Sequence, residues 1–89
     1  MINRETIDNI ITTVRIEEVI GDYVTLRRRG VNLLGLCPFH NEKTPSFFVN
    51  PEKRLYHCFG CGEGGNVITF VIKMERLSFK EALNYLNKY

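Results

Sequence analysis

The N-terminal part of the chain carries hydrophobic residues at helical spacing. Apolar side chains recur at i, i+3, i+4 and i+7 within a polar background: Ile7, Ile10, Ile11 and Val14. This stripe predicts an amphipathic helix, and Asn3 is a suitable N-cap for it. A second, shorter set follows at similar spacing: Ile16, Val19 and Ile20. It predicts another helical turn, with Gly21 as its C-terminal cap.

The middle of the chain has β-branched and aromatic residues between turn signals. This pattern predicts four short strands, over residues 22–29, 31–36, 46–49 and 54–57. Gly30 allows a turn between the first two strands. The segment 50–53, Asn-Pro-Glu-Lys, is typical of a turn between the last two. We therefore expect a short antiparallel sheet at the centre of the chain.

Helical spacing returns at the C-terminal end. One stripe consists of Val67, Phe70, Val71 and Met74, with Asn66 as a candidate N-cap. A last stripe consists of Phe79, Ala82, Leu83 and Leu86, and the segment 78–81 before and within it is a capping-box pattern. The chain shows no internal repeat or linker. Residues 1–89 are therefore predicted to form one α+β domain, a short sheet flanked by N- and C-terminal helices.

Alternation along the last two strands divides their side chains between two faces of the sheet. Phe47 and Val49 lie on one face and Phe48 on the other. In the next strand, position 55 goes with 57 and position 54 goes with 56. Taking Phe47, Val49 and Leu55 as core predicts that the opposite face exposes a basic and aromatic set: Phe48, Arg54 and Tyr56.

Composition is that of an ordinary soluble globular protein, with 44% hydrophobic and 25% charged residues in a chain of 89. No apolar run is long enough to span a bilayer, and nothing resembles a signal peptide. Three cysteines cannot all pair within the chain, which fits a reducing cytoplasm. The formal net charge of +2 falls to about +1 when three thiolates bind one Zn²⁺. Any affinity for a polyanion therefore depends on the basic excess in the middle of the chain.

Two short motifs carry the chemistry of this sequence. Cys37-Pro38-Phe39-His40 and Cys58-Phe59-Gly60-Cys61 each place two ligand residues around two intervening ones, and seventeen residues separate the motifs. Two such knuckles, brought together by a hairpin, form a tetrahedral Zn²⁺ site. Because all four positions are filled by protein ligands, the predicted zinc is structural rather than catalytic.

Other interpretations of these residues are weaker. His57 precedes Cys58 on a predicted strand, where neighbouring side chains point to opposite faces, so His40 is the preferred fourth ligand. Unliganded core cysteines are disfavoured by the paired spacing. A redox pair at Cys58 and Cys61 lacks the βαβ context of thioredoxin-like motifs.

The remaining side chains indicate binding rather than catalysis. The ten acidic residues are scattered, and none forms a cluster suited to two Mg²⁺ ions. Basic and aromatic residues alternate through the central strands, a pattern that suits single-stranded nucleic acid because rings stack on bases and cations neutralise phosphates. From composition alone, a merely solvated charged face is an equally good interpretation.

The sequence around both knuckles resembles a known family. Residues 35–47 (GLCPFHNEKTPSF) and 56–62 (YHCFGCG) closely resemble the N-terminal zinc-binding domain of bacterial DNA primases of the DnaG type. The resemblance extends over essentially the whole chain. It implies a zinc ribbon in which Cys37, His40, Cys58 and Cys61 hold the ion. It also implies a domain that binds single-stranded template DNA and helps select the start site of RNA primers.

The same resemblance implies partners outside these 89 residues. Nucleotidyl transfer belongs to a separate polymerase domain, of the same or a neighbouring primase, and a further domain contacts the replicative helicase. Tyr89 is then expected to end a fragment. Residues that contact the template are predicted from this family function together with their charge and their position in the strand alternation. They are Arg27, Arg28, Lys43, Phe48, Lys53, Arg54 and Tyr56. Two alternatives stay open, a zinc ribbon used only for protein docking and the equivalent domain of a phage or mobile-element primase-helicase.

Overall fold

The computed structural model describes residues 4–41 and 43–89. The predicted N-cap Asn3 lies outside the described residues. The described part of the chain contains four helices: α1 Arg4–Thr13, α2 Ile16–Gly21, α3 Val67–Glu75 and α4 Phe79–Leu86. Helix α2 includes Gly21, and its C-cap is Asp22. The N-caps predicted for the two C-terminal helices are both present. The side chain of Asn66 accepts a hydrogen bond from the backbone N–H of Thr69, and Ser78 forms a capping box with Glu81.

Five antiparallel strands form one sheet in chain order, β1-β2-β3-β4-β5. Their bounds are β1 Arg27–Arg29, β2 Asn32–Gly35, β3 Phe47–Asn50, β4 Leu55–Cys58 and β5 Gly64–Gly65. The first strand is shorter than predicted. The backbone N–H groups of Tyr23 and Val24 both donate to the carbonyl of Ile20 at 2.9 Å, so they continue the turn after α2 and are not available to a strand ladder. The expected α+β fold is confirmed.

The sheet has a buried face, here called the inner face, and the helices pack against it. The aromatic ring of Phe70 in α3 is fully buried at the centre of the core. Its ring centroid lies 5.5 Å from that of Tyr56, 5.6 Å from Tyr23 and 5.7 Å from Phe39. Edge-to-face contacts of this kind add to the stabilisation from burial. Helix α3 is therefore joined to the sheet and to the first knuckle through one residue.

The prediction that the side chain of Tyr56 lies on the exposed face of the sheet is wrong. Its side chain is 2% exposed and stacks on Phe47 at 5.4 Å, whereas Leu55 is 47% exposed. The register explains this outcome, since Val49 pairs with Tyr56 and Phe48 pairs with His57, and directly paired residues lie on the same face. An aromatic ring buries more apolar area than a leucine side chain does, so the face of the sheet that carries Tyr56 is the buried one.

None of the described helices combines the length and the apolar character that crossing a membrane requires.

Candidate metal centre and nucleic-acid interface

The first knuckle follows β2 and is held by its aromatic residue. Cys37 is buried, and its Sγ accepts the backbone N–H of Phe39 at 3.4 Å. The Phe39 ring lies 6.1 Å from that of Phe47, edge to face. The knuckle is thus oriented both by its own backbone and by packing on the core, which directs the side chains of Cys37 and His40 toward the second knuckle.

The second knuckle begins at the last residue of β4. Cys58 is fully buried, and its Sγ accepts the backbone N–H of Gly60 at 3.3 Å. Its backbone N–H donates to the carbonyl of Glu63 at 2.8 Å, and its carbonyl accepts from Gly62 at 2.8 Å. Gly62 has φ of 81°, a left-handed conformation that glycine adopts without strain. These bonds close the tight loop that returns Cys61 to the site.

Helix α3 connects the two knuckles through Lys73. Its ammonium group forms an ion pair with Glu63 of the second knuckle. The same Nζ lies 5.6 Å from the ring centroid of Phe39 in the first knuckle, within the range of a cation–π contact. Lys73 therefore helps to hold the two knuckles in one relative position.

The four predicted ligands come together in the structure. One donor atom from each of Cys37, His40, Cys58 and Cys61 lies within 4.8 Å of the other three. Zn–S bonds of about 2.3 Å place two sulfurs of a tetrahedron about 3.8 Å apart, and the Sγ atoms of Cys37 and Cys61 are 3.8 Å apart. The donor set of three sulfurs and one nitrogen therefore fits Zn²⁺. His57, the alternative ligand, is not in this group.

The thiols differ in how readily they lose a proton before metal binds. Burial raises the pKa of Cys37 to about 12, although the N–H of Phe39 opposes this shift. Burial acts in the same direction on Cys58, but hydrogen bonds from the Ser46 hydroxyl and from backbone N–H groups lower the pKa of its thiol to about 7. Cys58 therefore loses its proton more readily than Cys37, and zinc must displace a proton from Cys37.

The solvent-facing side of the sheet, here called the outer face, carries a continuous row of paired residues. The pairs connect Arg27 to Leu34, Leu34 to Phe48, Phe48 to His57, and His57 to Gly64. A side chain at position 64 would meet the His57 ring, since a Cβ there would lie 3.1 Å from Nδ1. Glycine therefore keeps this end of the row flat.

A groove of about 820 Å³ runs over the outer face. Its aromatic wall consists of Phe48, His57 and Phe59, with ring centroids 5.2 Å apart for Phe48–Phe59 and 4.6 Å for His57–Phe59. Phe59 is 71% exposed. The remaining lining includes Asn32, Asn50, Lys53 and Leu55, which lie at the end of the sheet away from the knuckles. A volume of this size is typical of a ligand site.

The structure divides the predicted template contacts among several places. Phe48 and Lys53 line the groove, and Arg27 lies in the same cross-sheet row. Arg28 pairs with Leu33, which puts it on the other side of the edge strand. Lys43 is exposed in the loop between β2 and β3, and it lines none of the described grooves.

Two further residues of the predicted footprint do not place their side chains on the outer face. Arg54 has φ of 59° in the turn before β4, so strand alternation does not set its direction, and it lines a cleft beside α1 and α2. Tyr56 is among the residues beneath the groove, but its side chain is buried in the core. The sequence interpretation missed Phe59 as a surface residue. It weighed His57 as a ligand and placed it on the face of Leu55, which it took as core. The knuckle sequence contains no signal for the exposure of Phe59, because Phe39 also lies between two ligands and packs on the core instead.

A closed site of four protein ligands, built from two knuckles beside a small antiparallel sheet, defines a zinc ribbon. A family model described as the CHC2 zinc finger, the zinc ribbon of DnaG, matches residues 2–89. The chain belongs to this family of DnaG-type primase domains, and the predicted zinc cofactor is confirmed.

Curated relatives support the same assignment. The chain is 55% identical over 87 residues to a DNA primase of Halalkalibacterium halodurans, and the match covers 98% of this chain and 14% of that protein. A DNA primase of Geobacillus stearothermophilus is 56% identical, with 96% of this chain and 14% of the relative covered. The chain thus spans about one seventh of the length of these relatives.

A solved structure shows the same fold. It is that of the Aquifex aeolicus primase, comprising its zinc-binding and RNA polymerase domains. The TM-score is 0.87 at 43% identity, over 93% of this chain and 21% of that one. The chain therefore has the fold of a primase zinc-binding domain.

Proposed function

We propose that this zinc-binding domain binds single-stranded template DNA on its outer face and so helps to select where RNA primer synthesis starts. The observation that carries the proposal is the groove, in which exposed rings lie beside a cation. Stacking on aromatic side chains and neutralisation of phosphates are the two interactions by which proteins hold single strands. The zinc takes no part in chemistry in this proposal. It holds the end of β4, and with it Phe59, in place.

Lys53 is positioned for a phosphate contact. Its backbone N–H donates to Asn50 Oδ1 at 3.0 Å, which fixes the turn between β3 and β4 and places the side chain at the groove. On the same face, Arg27 and Arg29 are exposed at the edge strand. A strand that stacks its bases in the groove then has cations on both sides of it.

The proposal extends to the full-length protein. A polymerase domain of the same or a neighbouring primase joins nucleotides on the template that this domain holds, and another domain contacts the replicative helicase. Residues 1–89 act as one folded unit in this arrangement. This domain contributes template binding and not catalysis.

Fluorescence anisotropy with a labelled oligodeoxynucleotide, titrated at several salt concentrations, tests the proposal. Lys53→Gln is expected to weaken binding and to reduce the slope of log K against log salt by about 0.7, the value for one phosphate contact on a single strand. Lys80→Gln removes the same charge from α4, where Lys80 is exposed, and is expected to leave both unchanged. Equal effects of the two variants would contradict a binding site on the outer face.

Protein docking is the second candidate, and the exposure of Phe59 and Leu55 favours it. The same titration separates the two. If the zinc-loaded chain binds no oligonucleotide but binds an isolated primase polymerase domain, the outer face is a docking surface.

A further inference from the structure

Two amide side chains lie in the groove at the end away from the zinc. Asn32 begins β2 and Asn50 ends β3, and both line the groove. They flank the paired residues Leu33 and Val49, so the two amides are on neighbouring strands at the same end of the sheet. The aromatic wall begins at Phe48, two residues before Asn50 on the same face of β3, and continues toward the second knuckle.

The amide of Asn50 has a fixed orientation. Its Oδ1 accepts the backbone N–H of Lys53 at 3.0 Å, and only the oxygen of an amide can accept a bond from an N–H. The NH₂ group is therefore left as a donor in a half-buried position beside apolar side chains. A polar group in such a place distinguishes ligands that offer an acceptor from ligands that offer a second donor.

We infer that Asn50, assisted by Asn32, distinguishes one unstacked nucleobase by its exocyclic group. The inference rests on the proposed function. The base stacks on Phe48, and the NH₂ group of Asn50 donates to a carbonyl oxygen at position 4 of a pyrimidine or position 6 of a purine. Bases with an amino group at that position present a donor to a donor and bind less tightly. The groove then contributes to start-site selection through base identity as well as through general affinity for the strand.

Two comparisons between nucleobases of the same shape give a direct test. We compare the affinities of hexadeoxynucleotides that differ at one position. One comparison sets deoxyuridine against deoxycytidine and the other sets deoxyinosine against deoxyadenosine, because each replaces a carbonyl oxygen by an amino group. The zinc-loaded chain is expected to prefer the carbonyl member of both pairs by about fivefold, the size of one neutral hydrogen bond. Asn32→Ala is expected to reduce this preference.

Asn50→Asp is the decisive variant. A carboxylate keeps the acceptor for the Lys53 N–H, so the turn is retained, but it presents an acceptor to the base where the amide presented a donor. We expect the preference to reverse toward the amino bases. Asn84→Asp adds the same charge on α4, where Asn84 is exposed, and is expected to keep the native preference.

The outcomes separate this inference from the proposed function. If oligonucleotides bind with a Lys53-dependent salt slope but Asn50→Asp and Asn84→Asp show the same base preference, the inference is overturned and the proposed function stands. If the zinc-loaded chain binds none of the oligonucleotides, both are overturned. A reversed preference in Asn50→Asp alone supports both.

Discussion

The inner and outer faces of the sheet use the same kinds of side chain for opposite purposes. On the inner face, Tyr56 is 2% exposed and contacts three other rings of the core, whereas on the outer face Phe59 is 71% exposed. The two faces alternate along a single strand, so that His57 lies on the outer face and Cys58, a candidate zinc ligand, lies on the inner side. Aromatic content therefore does not by itself indicate a binding surface, and the packing partners decide its role.

Zinc removal is expected to have the largest effect, because both faces depend on the knuckles. Structural zinc sites in small domains supply on the order of 10 kcal/mol of folding free energy. Removal of zinc by a strong chelator is expected to abolish the cooperative thermal transition followed by circular dichroism, and addition of excess zinc is expected to restore it. A chelated chain that keeps its transition would show that the core alone maintains the sheet.

Truncation on the inner face is expected to cost less than zinc removal but more than any change on the outer face. Tyr56→Ala removes a fully buried ring and is expected to lower the free energy of unfolding of the zinc-loaded chain by about 3–5 kcal/mol. Urea denaturation measures this difference.

Tyr56→Phe is the matched control for that variant. The hydroxyl of Tyr56 is buried and finds no hydrogen-bond partner among residues 4–41 and 43–89, so its removal is expected to change the stability by less than about 1 kcal/mol. A loss comparable to that of Tyr56→Ala would mean that the hydroxyl, and not the ring, stabilises the core.

Truncation on the outer face is expected to affect binding and not stability. Phe59→Ala is expected to reduce affinity for single-stranded DNA by about 1–3 kcal/mol, the contribution of one base–aromatic stack. Its urea midpoint is expected to stay close to that of the native chain, since most of the ring is already exposed. Comparable losses of stability and affinity would remove the distinction between the two faces.

The dependence of zinc affinity on pH is expected to be about tenfold per pH unit for each thiol that must lose its proton. Zinc binds thiolates, so a thiol that is protonated in the metal-free chain must release its proton. Above pH 7, Cys37 with its pKa of about 12 releases a proton but Cys58 does not. Below pH 7 Cys58 is protonated as well, and affinity is expected to fall by about a further tenfold per pH unit. Competition with a chromophoric chelator measures the slope, and equal slopes on either side of pH 7 would contradict the difference between the two thiols.

Local patterns were sufficient to predict the helices and the four residues that the structure brings into one candidate metal-binding group. The spacing of the apolar stripes depends on helix geometry alone, and the two knuckles bring their ligands together through short loops. Both kinds of signal are contained in a few neighbouring residues, and the structure shows the helices with the capping of Asn66 and Ser78 as predicted.

The assignment of faces could not be made in the same way. Alternation separates Leu55 from Tyr56 but does not say which of the two is buried, because that choice depends on the distant ring of Phe70. Arg54 was predicted by alternation although it lies in a left-handed turn before the strand begins. The groove itself, with Asn32, Asn50 and Phe59, arises from three separate segments that only the folded sheet brings together.

Aromatic side-chain NMR of the zinc-loaded chain, titrated with a short single-stranded oligodeoxynucleotide, tests the central claim most directly. Ring resonances of Phe48, His57 and Phe59 are expected to shift together and saturate, while those of Tyr56 and Phe70 stay in place. Shifts centred on the cleft of Arg54 beside α1 and α2, with the outer face unchanged, would contradict the account.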